Sequence, residues 1–169
     1  IWNASISSPL PIQKWWNGYV SLWYNYQIFD GVIGQNPVHV TIPSYGAYMQ
    51  HSFTLGKDYS AEISGWYNGP SVWGGTWKTK PQGAVDIGFQ KQLLQRKASI
   101  RLSYTDLFFT APWRATNDFG GLYINGGGDW ESRTFRVSFN WRFGNSQVKE
   151  SRDRKTGLES ESKRIKSGN

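Results

Sequence analysis

The chain has 169 residues, room for one domain rather than several. Aromatics make up 17% of it, and cysteine is absent, which excludes a disulfide framework, a thiol nucleophile and a thiolate metal site. The formal charge of +7 falls on a body with neither a basic helix nor a basic–aromatic RNA-binding motif, so nucleic acid is not an expected partner.

No run of about 18 apolar residues is present, so no transmembrane helix is expected. The mean hydropathy of −0.58 resembles that of a soluble protein. It does not exclude a β-barrel, because strands that alternate apolar and polar residues average out to polar. The 10 Trp and 9 Tyr suit a membrane interface, where one end of the ring is apolar and the other wet. The sequence opens at Ile1-Trp2-Asn3, inside an alternating segment and without a secretory signal. Further N-terminal sequence is therefore expected.

Seven strand-like segments follow one another. The first is about Ile1–Ser8, ended by Pro9-Leu10-Pro11, whose prolines cannot donate ladder hydrogen bonds. The second is Gly18–Phe29, with Val20, Leu22, Tyr24, Tyr26 and Ile28 on one face and Ser21, Trp23, Asn25 and Gln27 on the other. The third is about Ser44–Leu55, apolar at Tyr45, Ala47, Met49, Phe53 and Leu55, with His51 interrupting that face. The fourth is Tyr59–Tyr67, with Tyr59, Ala61, Ile63 and Tyr67 opposite Ser60, Glu62, Ser64 and Trp66. The fifth, Gly83–Leu93, sets Val85, Ile87 and Phe89 against Asp86 and Gln90. The sixth starts at Ala98, with Ile100, Leu102 and Tyr104 opposite Ser99, Arg101, Ser103 and Thr105. Its parity breaks at Asp106-Leu107, where a bulge or the end of the membrane-spanning part is expected.

The seventh, Arg133–Phe143, carries the strongest signal. Phe135, Val137, Phe139, Trp141 and Phe143 alternate strictly with Thr134, Arg136, Ser138, Asn140 and Arg142. A bulky apolar face, a polar face and a closing aromatic are what a lipid-facing barrel strand requires. Glu62, Asp86, Arg101, Arg136 and Arg142 fall on the polar, lumen-facing side, where charges mostly satisfy one another across strands.

The connections alternate in length. Short links fall at Pro9–Asn17, Gly56–Asp58 and Leu94–Lys97. Longer links, rich in Gly, Pro and aromatics, fall at Asp30–Pro43, Asn68–Gln82 and about Ala111–Asp129. Bacterial barrels have short periplasmic turns and longer extracellular loops, so the seventh strand leaves the C-terminus in the periplasm. Seven strands do not match the even counts of bacterial single-chain barrels. An open sheet in lipid leaves both edges unpaired, so further strands are expected to pair with the first and the seventh. The fold class is therefore all-β, an antiparallel up-and-down transmembrane barrel of which residues 1–144 are one part. Residues 145–169 lack aromatics and carry 7 Lys+Arg against 4 Asp+Glu. They are expected to be a solvated, disordered tail, with a short helix after Gly157 as the alternative.

Catalytic constellations are not evident, and no enzyme is expected. His39 and His51 are too far apart for a local metal motif, and His51 is read as a lumen or rim residue. No cofactor or metal is expected. Asn125-Gly126-Gly127-Gly128 lacks the Lys-Ser/Thr of a phosphate loop and is read as a glycine hairpin tip. Trp66, Trp73, Trp77, Trp113 and Tyr123 collect near the expected extracellular mouth, where their rings can pack the loops or stack on sugar or another flat ligand.

The segment Ser64-Gly65-Trp66-Tyr67-Asn68-Gly69-Pro70-Ser71-Val72-Trp73-Gly74-Gly75, followed by Lys78-Thr79-Lys80-Pro81, resembles the C-terminal barrel of Bacteroidota-type outer-membrane β-barrel proteins, which are grouped with TonB-dependent receptors. Trp130-Glu131-Ser132-Arg133 leading into Asn140-Trp141-Arg142-Phe143-Gly144 resembles their last strand. Arg154-Lys155-Thr156-Gly157-Leu158-Glu159 with Lys163-Arg164-Ile165 resembles their charged extension. The resemblance implies a 22-stranded barrel, an N-terminal plug and a TonB box that this sequence does not contain. It also implies energised ligand uptake through the TonB system. Implied partners are outer-membrane lipid, the outer-membrane assembly machinery that reads Phe139, Trp141 and Phe143 as a signal, and a surface lipoprotein or other subunit of an outer-membrane complex. The alternatives are a passive channel, a structural subunit of such a complex, and, in another class, a secreted aromatic-rich sugar-binding β-sandwich.

Overall fold

Side-chain alternation with a period of two dictates strands. The computed structural model, which describes residues 2–143, contains eleven of them and no helix. In chain order they are β1 (Trp2–Gln13), β2 (Trp16–Ile33), β3 (Asn36–Gly56), β4 (Tyr59–Asn68), β5 (Ser71–Trp73), β6 (Trp77–Thr79), β7 (Gln82–Leu93), β8 (Ala98–Tyr104), β9 (Trp113–Phe119), β10 (Leu122–Gly128) and β11 (Phe135–Trp141). The expected tail, 145–169, lies outside the described residues.

Seven of these form one antiparallel sheet in the order β1-β2-β3-β4-β7-β8-β11. They are the seven strands expected from alternation. The sheet is an up-and-down meander whose outer members, β1 and β11, do not pair with each other, so it is an open wall and not a closed barrel. The other four strands form a second sheet in the order β10-β9-β6-β5.

One end of the wall is closed by tight turns. Lys14–Trp15 joins β1 to β2, Lys57–Asp58 joins β3 to β4, and Leu94–Lys97 joins β7 to β8. Lys57 and Asp58 both have positive φ, at 49° and 66°, as a two-residue hairpin whose twist matches its strands demands. The other end carries everything long.

Three expectations need correction. First, Asp30–Pro43 is not an irregular link. β2 and β3 stay paired from Trp16↔Phe53 to Ile33↔Asn36 and turn at Gly34–Gln35, so the hairpin stands far above the rest of the wall. Second, β1 runs through Pro9 and Pro11, which pair with Tyr19 and Asn17. The two prolines are two residues apart, so their ring nitrogens share one side, and an edge strand tolerates proline there. Third, the two other long links are strands: Asn68–Gln82 holds β5 and β6, and Ala111–Asp129 holds β9 and β10. Asn125–Gly128 is not a hairpin tip but part of β10, paired with Thr116 to Trp113. The tip is Gly120–Gly121, with φ of 65° and 79°.

Buried side chains are few, and many of them sit at the elaborated end. Val38, Ser44, Asp106, Ala111 and Ala115 are buried there, whereas the apolar face of the wall is bare. The physical logic of a soluble core is thus inverted.

Candidate functional site

Register separates the two faces of the wall. Trp16, Phe53, Ala61, Phe89, Leu102 and Val137 lie side by side across β2, β3, β4, β7, β8 and β11. The adjacent row is Asn17, Ser52, Glu62, Gly88, Ser103 and Arg136. Phe135, Phe139 and Trp141 continue the apolar face against Tyr104, Ile100 and Ala98. Exposure alone would not distinguish the faces on β11, because every residue of this edge strand is exposed.

The apolar face is banded. Trp16 and Tyr24 are eight positions apart, as are Phe53 and Tyr45, Tyr59 and Tyr67, and Phe143 and Phe135. At about 3.4 Å per residue that spacing is about 27 Å along a strand. A tilt of about 40° shortens it to about 21 Å, close to the height of an apolar band between two aromatic girdles. Aliphatic side chains such as Leu22, Met49, Ile63 and Leu102 fill the space between. His51 lies on this face near the short-turn girdle, at the rim and not in the lumen. Its Nδ1 accepts a 3.1 Å hydrogen bond from Trp16 Nε1.

On the polar face, Glu62 is the hub. Its Oε1 accepts from Arg101 Nη2 at 3.0 Å, and its Oε2 accepts from Gln50 Nε2 at 3.1 Å. Tyr48 extends the chain by donating to Gln50 Oε1 at 3.1 Å. Gly88 pairs with Glu62 across β4 and β7, and the Arg101 guanidinium crosses over it to reach the carboxylate. Asp86 acts on the backbone instead, where its Oδ1 accepts the N–H of Asp106 at 2.8 Å. Arg136 and Arg142 share the polar parity and form no ion pair among the described residues.

Above the upper girdle the polarity of β2 and β3 reverses. Asp30 and His39 pair on the outer side, while Phe29 and Val38 turn inward. The second sheet leans onto that inward surface. Gly75 rests against the Phe29 ring, and Ser44 Oγ donates to the carbonyl of Pro70 at 2.9 Å. The loop strands therefore fold over the polar side of the wall, and the apolar face stays uncovered.

Between wall and loop sheet lies a cleft of about 390 Å³. Trp23 lies flat over Gly46, where a Cβ would meet its indole at 2.4 Å. Trp73 and Trp113 face it from the loop sheet, with ring centroids 6.4 Å apart and planes at 84°. Ser44, Asn68, Ser71, Thr79, Lys80 and Gln82 supply the polar lining. The lining contains no carboxylate.

Of the five aromatics expected at the mouth, the structure brings Trp73 and Trp113 into the cleft. Trp77 supports them: its ring lies 6.3 Å from Trp113 and covers Gly126. Trp66 sits lower on the polar face of β4, between Tyr48 and Ala84, and is not in the cleft. Tyr123 lies on β10, exposed, and is not in it either. Sequence reasoning missed Trp23 as a site residue. The signal that could have found it is a tryptophan on an otherwise polar strand face.

Asp106 was also missed. Its carboxylate accepts from the N–H of Thr110 and Ala111 and from Ser132 Oγ, tying the turn after β8 to the segment before β11. Burial alone would raise its pKa. The Ser132 hydroxyl, the two backbone N–H groups and the Arg133 charge outweigh burial and hold the carboxyl below its ordinary value.

The outer membrane protein beta-barrel family matches residues 1–141. The chain belongs to that family. It is therefore an outer-membrane protein, and the two-faced wall is part of its barrel. No curated protein and no solved structure matches it.

Proposed function

We propose that this outer-membrane protein is a receptor that takes up a ligand across the outer membrane by TonB-dependent transport. In this reading the wall is part of a 22-stranded barrel, the banded face meets lipid, and the Glu62–Arg101 face lines the lumen. The short turns and the end of β11 lie in the periplasm, and the loop sheet is extracellular. The protein has no catalytic role. One observation carries the reading: the long connections build an ordered sheet that leans over the polar face and encloses an aromatic cleft there. A simple pore gains nothing from a structured, tryptophan-lined roof. A receptor needs one to hold its ligand at the mouth.

The test uses the intact protein reconstituted in planar bilayers. The expected result is no steady ion conductance, because a plug fills the lumen, together with binding of the purified periplasmic domain of TonB. Steady conductance without TonB binding would make the protein a passive channel. Absence of both would make it a structural subunit.

A further inference from the structure

We infer that the cleft between Trp23 on the wall and Trp73 and Trp113 on the loop sheet binds a neutral pyranose unit of an oligosaccharide. The inference rests on the receptor reading and names the ligand class for it. Its chemistry follows from the lining. Indole faces stack on the flat, C–H-rich face of a sugar ring and tolerate its polar rim. Trp23 offers such a face because Gly46 lets the ring lie flat on the strand. Trp113 and Trp73 stand edge-to-face, so together they offer one flat and one edge-on indole surface to a ring entering the cleft.

The hydrogen-bonding groups fit a polyol. Asn68 and Gln82 supply neutral amide donors and acceptors around the aromatic surfaces, while the Ser44, Ser71 and Thr79 hydroxyls, already hydrogen-bonded to Pro70 and to one another, complete an uncharged polar rim. Gln82 Oε1 is buried and accepts no hydrogen bond among the described residues. Rotation of that carboxamide toward a ligand hydroxyl would satisfy it, since a buried polar atom without a partner is unfavourable. The only charged side chain in the lining is Lys80, which is exposed. A cationic ligand would find no carboxylate there, and an anion would find one solvated amine. The volume of about 390 Å³ suits a small ring system and not a folded protein.

The intact protein, in detergent, is applied to an array of immobilised neutral mono- and oligosaccharides. Saturable binding to at least one of them is expected. Trp73→Ala and Trp113→Ala should each weaken it at least tenfold, while Lys80→Ala changes it less than twofold. Leu122→Ala, on the exposed β10 edge, should leave it unchanged. Trp73 is 65% exposed, so its removal does not threaten folding, and heat-modifiable gel mobility checks this for each variant. Binding to no neutral sugar, or binding that survives Trp73→Ala, overturns the inference. So does a tenfold loss in Lys80→Ala, because it would assign the cleft to an anion. TonB binding without steady conductance, alongside a silent array, would retain the receptor and discard only the sugar.

Discussion

Asp106 is the largest fully buried side chain among the described residues, at 1% exposure, and it sets how the loops are anchored. Its removal in Asp106→Ala strands two backbone N–H groups and the Ser132 hydroxyl. The Ala111 N–H, the buried one of these donors, costs about 1–3 kcal/mol when left unsatisfied, and hydrogen exchange of Thr110 and Ala111 should accelerate. The lowered pKa fixes the sign of the pH dependence. A depressed carboxylate contributes stability above its ordinary value of about 3.8, and that contribution is lost as pH falls through the lower folded value. The loop sheet should therefore loosen below about pH 4 in the wild type, and this acid sensitivity should disappear in Asp106→Asn. On β11 the faces make a separate prediction. Val137→Arg or Phe139→Arg should cost about 2–4 kcal/mol near the bilayer midplane, measured by unfolding in vesicles. Ser138→Arg, one position away on the polar face, should cost much less. Equal costs would contradict the face assignment.

At the scale of elements, the β9–β10 hairpin shows how glycine places an aromatic. A Cβ on Gly126 would meet Trp77 at 2.7 Å, so the ring and the strand can pack only if position 126 is bare. Gly126→Val should destabilise the loop sheet by about 1–3 kcal/mol through overpacking. Limited proteolysis should then cut within 111–129 while the wall stays protected. β11 carries a different element-level expectation. If Phe139, Trp141 and Phe143 form the assembly signal, the close, tilted Trp141–Phe143 pair, with ring centroids 4.5 Å apart and planes at 33°, is part of its structural form. Phe143→Ala should then lower membrane insertion more than Phe29→Ala. Phe29 belongs to the upper hairpin and touches Gly75, so its loss should loosen the loop sheet and spare insertion. Equal insertion of the two variants would place the signal elsewhere.

For the whole molecule, the open wall is the dominant fact. β1 and β11 each present an unpaired edge among the described residues, and unsatisfied backbone groups in hydrocarbon cost several kcal/mol or so each. In the proposed reading, further strands of the same protein pair with both edges and close the barrel. Residues 1–144 expressed alone should fail to give a heat-modifiable species in detergent, and the protein with its remaining strands should give one. A stable, heat-modifiable form of the fragment alone would mean that copies of the wall pair with one another.

Alternation alone determined the seven wall strands, their order of succession and their two faces. A residue's side of a strand depends only on its parity, which is local information. The same parity placed Glu62, Asp86, Arg101, Arg136 and Arg142 together on the polar face. What the residues at 68–82 and 111–129 do was not legible in this way. β5, β6, β9 and β10 are short and weakly alternating, only β10 being rich in glycine, and their pairing joins segments some forty residues apart, as Trp77↔Asn117 does. The cleft depends on that pairing. Trp23 shares a cleft with Trp73 and Trp113 only because the loop sheet leans inward, with Gly75 against Phe29. Asp106 is buried only because Ser132 arrives beside it from a distant segment. Such meetings are set by long-range packing, which no periodicity encodes.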